Sequence, residues 1–484
     1  MNSYHDETIY QRGSLLGHSL DWGNRPLTVK SYKNKQLQPL HSPASNSAAF
    51  FDISGQWPPR MGRTTAAPPN AGMLSRVLGL SAGITSPRWE DGFFLGLRAP
   101  ASAGALYPSE LYVAACEVEG IEDGLYHYSP QGLAANQSEP SGGWHLLWPQ
   151  KLAAMAAQAL GGRAGRLSFF ISSVLWRSLW KYNTRAYRYC LLDAGHMLAN
   201  LELALAAFGM LPRTSVNFAD DAVSVLLGLP DQDEIPLVAV RAGGAPEDPG
   251  PADIDLPPLD LQPQPLSRRI GRDYAVLEYH RASRFSNPRP EPVWEGPMMS
   301  TREHIALPKD KVSDSPGLEQ VMQARRSRRG FSGRALSIQQ LSLLLKSMLP
   351  GQAPVLALVV VGQHAQLASG TYLYLSGQHA LLPRSQGQDW RGIVADACLS
   401  QGFMAKAGVQ IILWADLYML EKNIGARAYR HAMLAAGRAG QRCYLAAEAL
   451  GLSCCGVGAF YDDDLSAING MPERAQPLYV LAIG

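Results

Sequence analysis

The chain has 484 residues, 46% hydrophobic and 17% charged, with a formal net charge of +2. That length exceeds one ordinary domain, and that balance fits a folded protein with a large core. So small a net charge gives no reason to expect a nucleic-acid or acidic-membrane partner. The six cysteines (Cys116, Cys190, Cys398, Cys443, Cys454, Cys455) show no zinc-site spacing and read as reduced, mostly buried thiols of a cytoplasmic protein without a metal.

The chain opens with "MNSYHDETIYQRGSLLG", which has no basic-plus-apolar signal pattern. No apolar run is expected to reach transmembrane length. Residues 1–48 read as an N-terminal arm and residues 49–242 as a first domain. Within it, "APASAGALYPSELYV" (Ala99 to Val113) is a small-residue turn running into a strand. Short runs rich in β-branched and aromatic residues, "ELYVAACEV", "LYHYS", "LSFFISSVLW" and "IPLVAVRA", predict buried strands. From Cys190 to Phe208 the chain is apolar almost all round, which predicts a central buried helix, with Lys181-Tyr182 just ahead of it. Residues 243–300 are proline-rich and read as an extended connector. Residues 301–484 form a second domain, with strands at "VLALVVVG", "TYLYLS", "VQIILWAD" and "PLYVLAIG". There Ser315-Pro316 reads as N-cap and first-turn proline of a short helix, and Ser337 to Gln340 as a capping box. Sheets with central helices give an α+β class.

The two domains repeat one another. Placing Arg185 on Arg427 aligns "RAYRYCLLDAGH" with "RAYRHAMLAAGR" without a gap through Pro230 and Pro472. Tyr187 then meets Tyr429, Gly195 meets Gly437, and Phe218 meets Phe460. Matches held in one order over so long a window mark a duplication.

Four stretches could carry chemistry. "QARRSRRGFSG" (Gln323 to Gly333) gathers four arginines and Ser327 at the end of a short helix; guanidinium forks suit a phosphate, and a solvated basic patch is the plain alternative. The Ser102, Ala103, Gly104, Ala105 run would let backbone approach a flat ligand, or is simply a tight turn. "GVG" (Gly456, Val457, Gly458) in the turn after the second long helix could expose backbone N–H groups, although a helix C-cap explains one of its glycines. Lys181 could serve as a base near neutral pH with Tyr182 relaying the proton; a surface lysine beside a half-buried tyrosine is the commoner arrangement. The losses between copies are complementary. The first copy has "TSVNF" where the second has "GVGAF", and only Arg60 and Arg63 near its start. The second lacks the "SAGALYPSE" loop and has Lys422-Asn423 near the place of Lys-Tyr. Two copies that once made two equivalent sites, one since decayed, would leave this pattern.

With "RRSRRGF", "SAGALYPSELY", "KYNTRAYRYCLLDAGH" and "GVGAFYDDDL" in view, the chain resembles the SagB-type (SagB/ThcOx) dehydrogenases of the nitroreductase superfamily, in a tandem, fused form. The resemblance implies two nitroreductase-like, FMN-dependent α+β domains forming an intramolecular pseudo-dimer. It implies that Arg325, Arg326, Ser327 and Arg329 hold the FMN phosphate, that Ser102, Ala103, Gly104 and Ala105 lie against the isoalloxazine, and that Gly456, Val457 and Gly458 lie near its N5. It implies that Lys181 and Tyr182 handle the proton when a thiazoline or oxazoline ring in a peptide is oxidised to an azole. A small molecule or peptide would be the substrate, with a cyclodehydratase or other biosynthetic enzyme as partner; further pairing of fused chains is left open. An NAD(P)H-dependent nitro or quinone reductase, and a non-catalytic scaffold for a biosynthetic partner, are the rival readings.

Overall fold

The computed structural model describes residues 3–13, 19–55, 68–90, 93–131, 142–229, 233–252, 259–294, 303–309 and 314–484. Arg60 and Arg63 lie outside the described residues. The chain divides into two compact units. The first unit comprises Leu20–Ser47 and Met61–Glu291; the second comprises Met1–Ser19, Ala48–Arg60 and Pro292–Gly484.

In the first unit the four expected strand runs form the centre of an antiparallel sheet. Its order is Leu37–Pro39, Gly143–Trp148, Gly124–Ser129, Ser109–Ala115, Leu167–Val174, Glu234–Ala242, Arg213–Ser215. Every residue of Ser109–Ala115 and of Leu167–Val174 is buried, the apolar majority as expected and Glu110 and the serines with them. One face receives the long helix Ala186–Ala207, buried from Ala186 through Leu205, together with helix Ala71–Ala82. Asn70 caps the latter by accepting the Met73 N–H at 2.9 Å. On the other face, helices Ala153–Leu160 and Asp220–Leu227 share a core with Tyr112, Phe170 and Ala239.

The second unit repeats this plan with a sheet ordered Ile305–Ala306, Ala380–Gln386, Gly370–Leu375, Leu356–Val361, Val409–Ala415, Gln476–Ile483, Cys454–Val457. Its long helix is Ala428–Ala449. The Ser337–Gln340 capping box closes as expected at the head of helix Ile338–Met348.

Several expectations are corrected. The helix after Ser315-Pro316 begins at Leu318 with Gly317 at its N-cap; the Ser315 hydroxyl instead accepts the Phe51 N–H at 3.0 Å. "GVG" is not a turn: Gly456 and Val457 belong to the edge strand Cys454–Val457, and the left-handed glycine just beyond the long helix is Gly451 (φ 69°). The arm does not act as one piece, because Met1–Ser19 belongs to the second unit and Leu20–Ser47 to the first. Nor is the proline-rich stretch merely an extended connector. It contains helix Tyr274–Ala282, capped by Asp273, and its Leu259 and Leu261 pack against the first unit's core. Glu291 accepts the Val216 and Asn217 N–H groups at 2.7 and 2.8 Å. Apolar residues spaced between the prolines give that stretch a surface to bury. Finally, among the described residues one helical span, Leu175–Ala207, is long and apolar enough to cross a membrane, but 89% of its apolar window is buried inside the protein.

Candidate active site

In the first unit, the small-residue loop and the Lys-Tyr pair come together. Helix Leu175–Tyr182 ends on Lys181 and Tyr182, so the pair closes one helix and does not open the next. Asn183, at φ 48° and ψ −143°, turns the chain before the long helix begins at Ala186. The Ser102–Ala105 loop faces this corner. A Cβ placed on Gly104 would stand 2.7 Å from the Tyr182 hydroxyl and 3.1 Å from Lys181 Nζ, so only glycine lets the backbone come this close. The loop carries a run of left-handed residues: Gly104 (φ 63°), Ala105 (φ 54°) and Tyr107 (φ 46°). Two of these have side chains, and such backbone persists only when its surroundings over-determine it.

Asp193, on the long helix, supplies part of that determination. Its carboxylate accepts the Ser102 hydroxyl at 2.5 Å and the Ala103 N–H at 3.1 Å, and Ser102 Oγ accepts the Tyr107 N–H at 2.9 Å. Burial pushes the Asp193 carboxyl up to about 7, with the two loop hydrogen bonds pulling the other way. Lys181 is half-buried; burial lowers its pKa, and the Arg25 guanidinium adds to the effect. Arg25 comes from a segment that covers the helix: Trp180 Nε1 donates to the Asp21 carbonyl at 2.9 Å and the Trp22 and Trp180 rings meet edge-on at 5.4 Å. The Tyr182 ring rests on Tyr189, with centroids 4.4 Å apart.

In the second unit, the arginine cluster and "GVG" meet through Tyr444. Helix Leu318–Ala324 stops at Arg325, which is buried with its guanidinium carbon 5.5 Å from the centre of the Tyr444 ring. The Tyr444 hydroxyl bonds Ser327 Oγ at 3.0 Å and accepts the Gly456 N–H at 2.6 Å. Burial holds that phenol far above its ordinary pKa, so it stays neutral. Arg326 donates to the Gln323 and Arg325 carbonyls at 2.8 and 2.7 Å, and Arg328 pairs with Glu448. Arg329 is exposed, stands 5.4 Å from the Phe403 ring centre and bonds Cys455. Any Cβ on Gly456 would collide with the Tyr479 hydroxyl. Val457 points into apolar core, so this strand can offer a ligand only its backbone. Ser327 and Arg329, both exposed, therefore present a hydroxyl and a cationic fork beside the buried Arg325 guanidinium, a donor set suited to a phosphate monoester.

The sequence reading missed Asp193 and Tyr444. Asp193 is an acid in the largely apolar run following "RAYRYC", where the aligned copy has Ala435; that contrast was the available signal. Tyr444 carried none, since tyrosine in a buried helix is ordinary.

A sequence profile of the nitroreductase family matches residues 66–244 and 322–484. An inferred nitroreductase of Methanocaldococcus jannaschii is 29% identical over 181 residues, 34% of this chain and 90% of that protein. The crystal structure of an inferred nitroreductase from Anabaena variabilis superposes with a TM-score of 0.76 at 24% identity, covering 100% of this chain and 98% of the other. That second likeness is one of fold.

Proposed function

Since this chain belongs to the nitroreductase family, we propose that it is an FMN-dependent oxidoreductase, a dehydrogenase that oxidises a C–H next to a C=N or C–N group, with azoline rings of peptides as the leading substrate class. The observation that carries this reading is the meeting of Lys181 and Tyr182 at the glycine of the small-residue loop. A simple reductase has no need of a partly desolvated amine there.

FMN, when bound, supplies hydride acceptance at N5. The protein's residues do the rest. Ser327 and Arg329, with Arg325 and Arg326, hold the phosphate by charge-assisted hydrogen bonds. Ser102 to Ala105 and the Gly456–Gly458 backbone offer surfaces with little side-chain bulk to a flat ring. Lys181, its amine made less basic by burial and by Arg25, removes the proton adjacent to the departing hydride, and Tyr182 holds that proton in place. The phosphate-binding set belongs to the second unit and the Lys-Tyr set to the first; the expectation of one flavin per chain draws on the complementary loss of motifs between the copies. A cyclodehydratase-like enzyme as partner and a cytoplasmic setting belong to the same reading.

The test is anaerobic mixing of the purified chain with a thiazoline peptide, following flavin absorbance. Bleaching by the peptide and an FMN-to-protein ratio near one support the reading; a ratio near two removes the decayed-site argument. The name borne by the relatives favours a second reading, an NAD(P)H-dependent nitro or quinone reductase. Bleaching by NADPH alone, equally in Lys181→Ala, would favour it.

A further inference from the structure

We propose that Asp193 is a positioning residue: from the long helix it latches the Ser102–Ala105 loop so that Gly104 stays against Lys181 and Tyr182. The inference rests on the reading of that corner as part of the site. Three observations carry it. First, the Asp193 carboxylate bonds this loop twice, accepting the Ser102 hydroxyl at 2.5 Å and the Ala103 N–H at 3.1 Å. Second, the loop needs holding. Ala105 and Tyr107 sit at φ 54° and 46°, a backbone region that side-chain-bearing residues leave when released, and Ser102 passes the restraint on by accepting the Tyr107 N–H at 2.9 Å. Third, the helix itself has no use for an acid at this position. The aligned residue of the second copy is Ala435, half-buried in a largely buried helix whose domain has no such loop. A buried carboxylate kept where alanine suffices, and spent on one loop, marks what the loop is for.

The latch also fixes the surroundings of Lys181. A Cβ on Gly104 would stand 3.1 Å from Nζ, so the loop backbone shields one side of the amine and a loosened loop admits water there. Asparagine can reproduce both bonds, accepting the Ala103 N–H through Oδ1 and donating to Ser102 Oγ through Nδ2. Alanine can reproduce neither.

The experiment compares wild type, Asp193→Ala, Asp193→Asn and Ser102→Ala as full-length chains. Amide exchange of peptides covering residues 99–108 is read by mass spectrometry, and the reactivity of Lys181 by competitive acetylation against pH. We expect exchange at least tenfold faster in Asp193→Ala and Ser102→Ala, with residues 370–375 unchanged. Lys181 should titrate closer to an ordinary lysine in both, and Asp193→Asn should restore both readouts. Unchanged loop exchange, unchanged Lys181 titration, or an asparagine variant as loose as the alanine one overturns the proposal. If Asp193→Ala fails to fold, Ser102→Ala removes the hydroxyl half of the latch and its onward bond to Tyr107 from the loop side, and decides alone. Flavin absorbance recorded on the same samples separates the two claims: a loosened loop in a chain that never holds flavin leaves the latch standing and ends the flavoenzyme reading.

Discussion

The two units share a sheet order strand for strand, yet the same sheet face is fastened in opposite ways. Ala115 pairs with both Gly124 and Leu167, and Val361 pairs with both Gly370 and Val409, which sets the equivalence of positions. Counting back from there, Glu110, Tyr112, His127, Ser172 and Glu234 of the first unit fall on Leu356, Leu358, Leu373, Trp414 and Ala475 of the second. In the first unit these positions form a buried charged network. Lys30 bonds Glu234 at 2.6 Å and the Tyr112 hydroxyl at 2.8 Å; Arg177 pairs with Glu110 at 2.6 Å; His127 bonds Glu110 at 3.0 Å. In the second unit the same positions are hydrocarbon, packed around Leu358, Trp414 and Ala475. Stability alone does not explain the charged version, since well-packed apolar residues usually serve as well or better. The difference lies in what each face receives. Lys30 belongs to the segment that also places Arg25 and Trp22 beside the helix bearing Lys181, and Arg177, on that helix, donates to the Leu27 carbonyl at 2.8 Å. Charge fixes the register of a covering segment in a way that interchangeable methyl groups do not.

The largest expected effect tests whether chemistry followed that segment. Lys181→Ala should lower single-turnover flavin reduction by about 10²–10⁴-fold with flavin content unchanged, and Tyr182→Phe should do less because the ring remains. Lys422→Ala, in the second copy, should leave the rate near wild type. Equal losses in the two lysine variants would mean the active copy has been misassigned.

Next comes the network. Glu234→Ala strands Lys30 and should cost about 3–5 kcal/mol in urea unfolding, whereas the double replacement Lys30→Met with Glu234→Leu should recover most of that loss. If the single variant is neutral, the charged face is not fastening the segment. In the second unit Leu358→Ala should cost about 2–5 kcal/mol, and no added charge should rescue it.

Smaller again is Arg325→Ala. Loss of a charge-assisted bond worth roughly 1.5–3 kcal/mol should weaken FMN retention about ten- to hundredfold, read by equilibrium dialysis. Undiminished retention would remove the phosphate assignment. The smallest effect compares the two corners. Asn183 adopts φ 48°, ψ −143° where the second copy has Gly425 at φ 74°, ψ −168°. Asn183→Gly should therefore raise stability by about 1 kcal/mol, measured as a shift in the denaturant midpoint. A destabilised variant would mean that the asparagine side chain holds the corner.

What could be read from the sequence followed from burial. The strands covered on both faces and the first long helix are rich in apolar residues, and the duplication showed because buried positions kept their register. Elements defined by their partners were silent: Leu37–Pro39 is three residues long and is a strand only because it pairs with Gly143–Trp148. "GVG" looked like a turn because glycine is common in turns, but here it makes room for Tyr479. The candidate residues were legible as four separate stretches. That Gly104 stands against Lys181, and that Tyr444 joins Ser327 to Gly456, depends on contacts between distant positions, which a linear pattern does not encode.

The division of the arm bears on how the chain can be made. The Tyr10 N–H donates to the Asp462 carboxylate at 2.9 Å across 452 residues, and Arg12 reaches Asp464 and Asp396 nearby. A contact of that span cannot close on the ribosome until residues 462–464 have emerged, so Tyr10 and Arg12 wait for partners made some 452 residues later. Closure entropy rises only slowly with loop length, so the delay is more a matter of timing than of stability. Cutting the gene between Glu291 and Pro292 would therefore not give two self-sufficient halves. The downstream half would lack its own beginning, and co-expression with the upstream half would be needed to supply it.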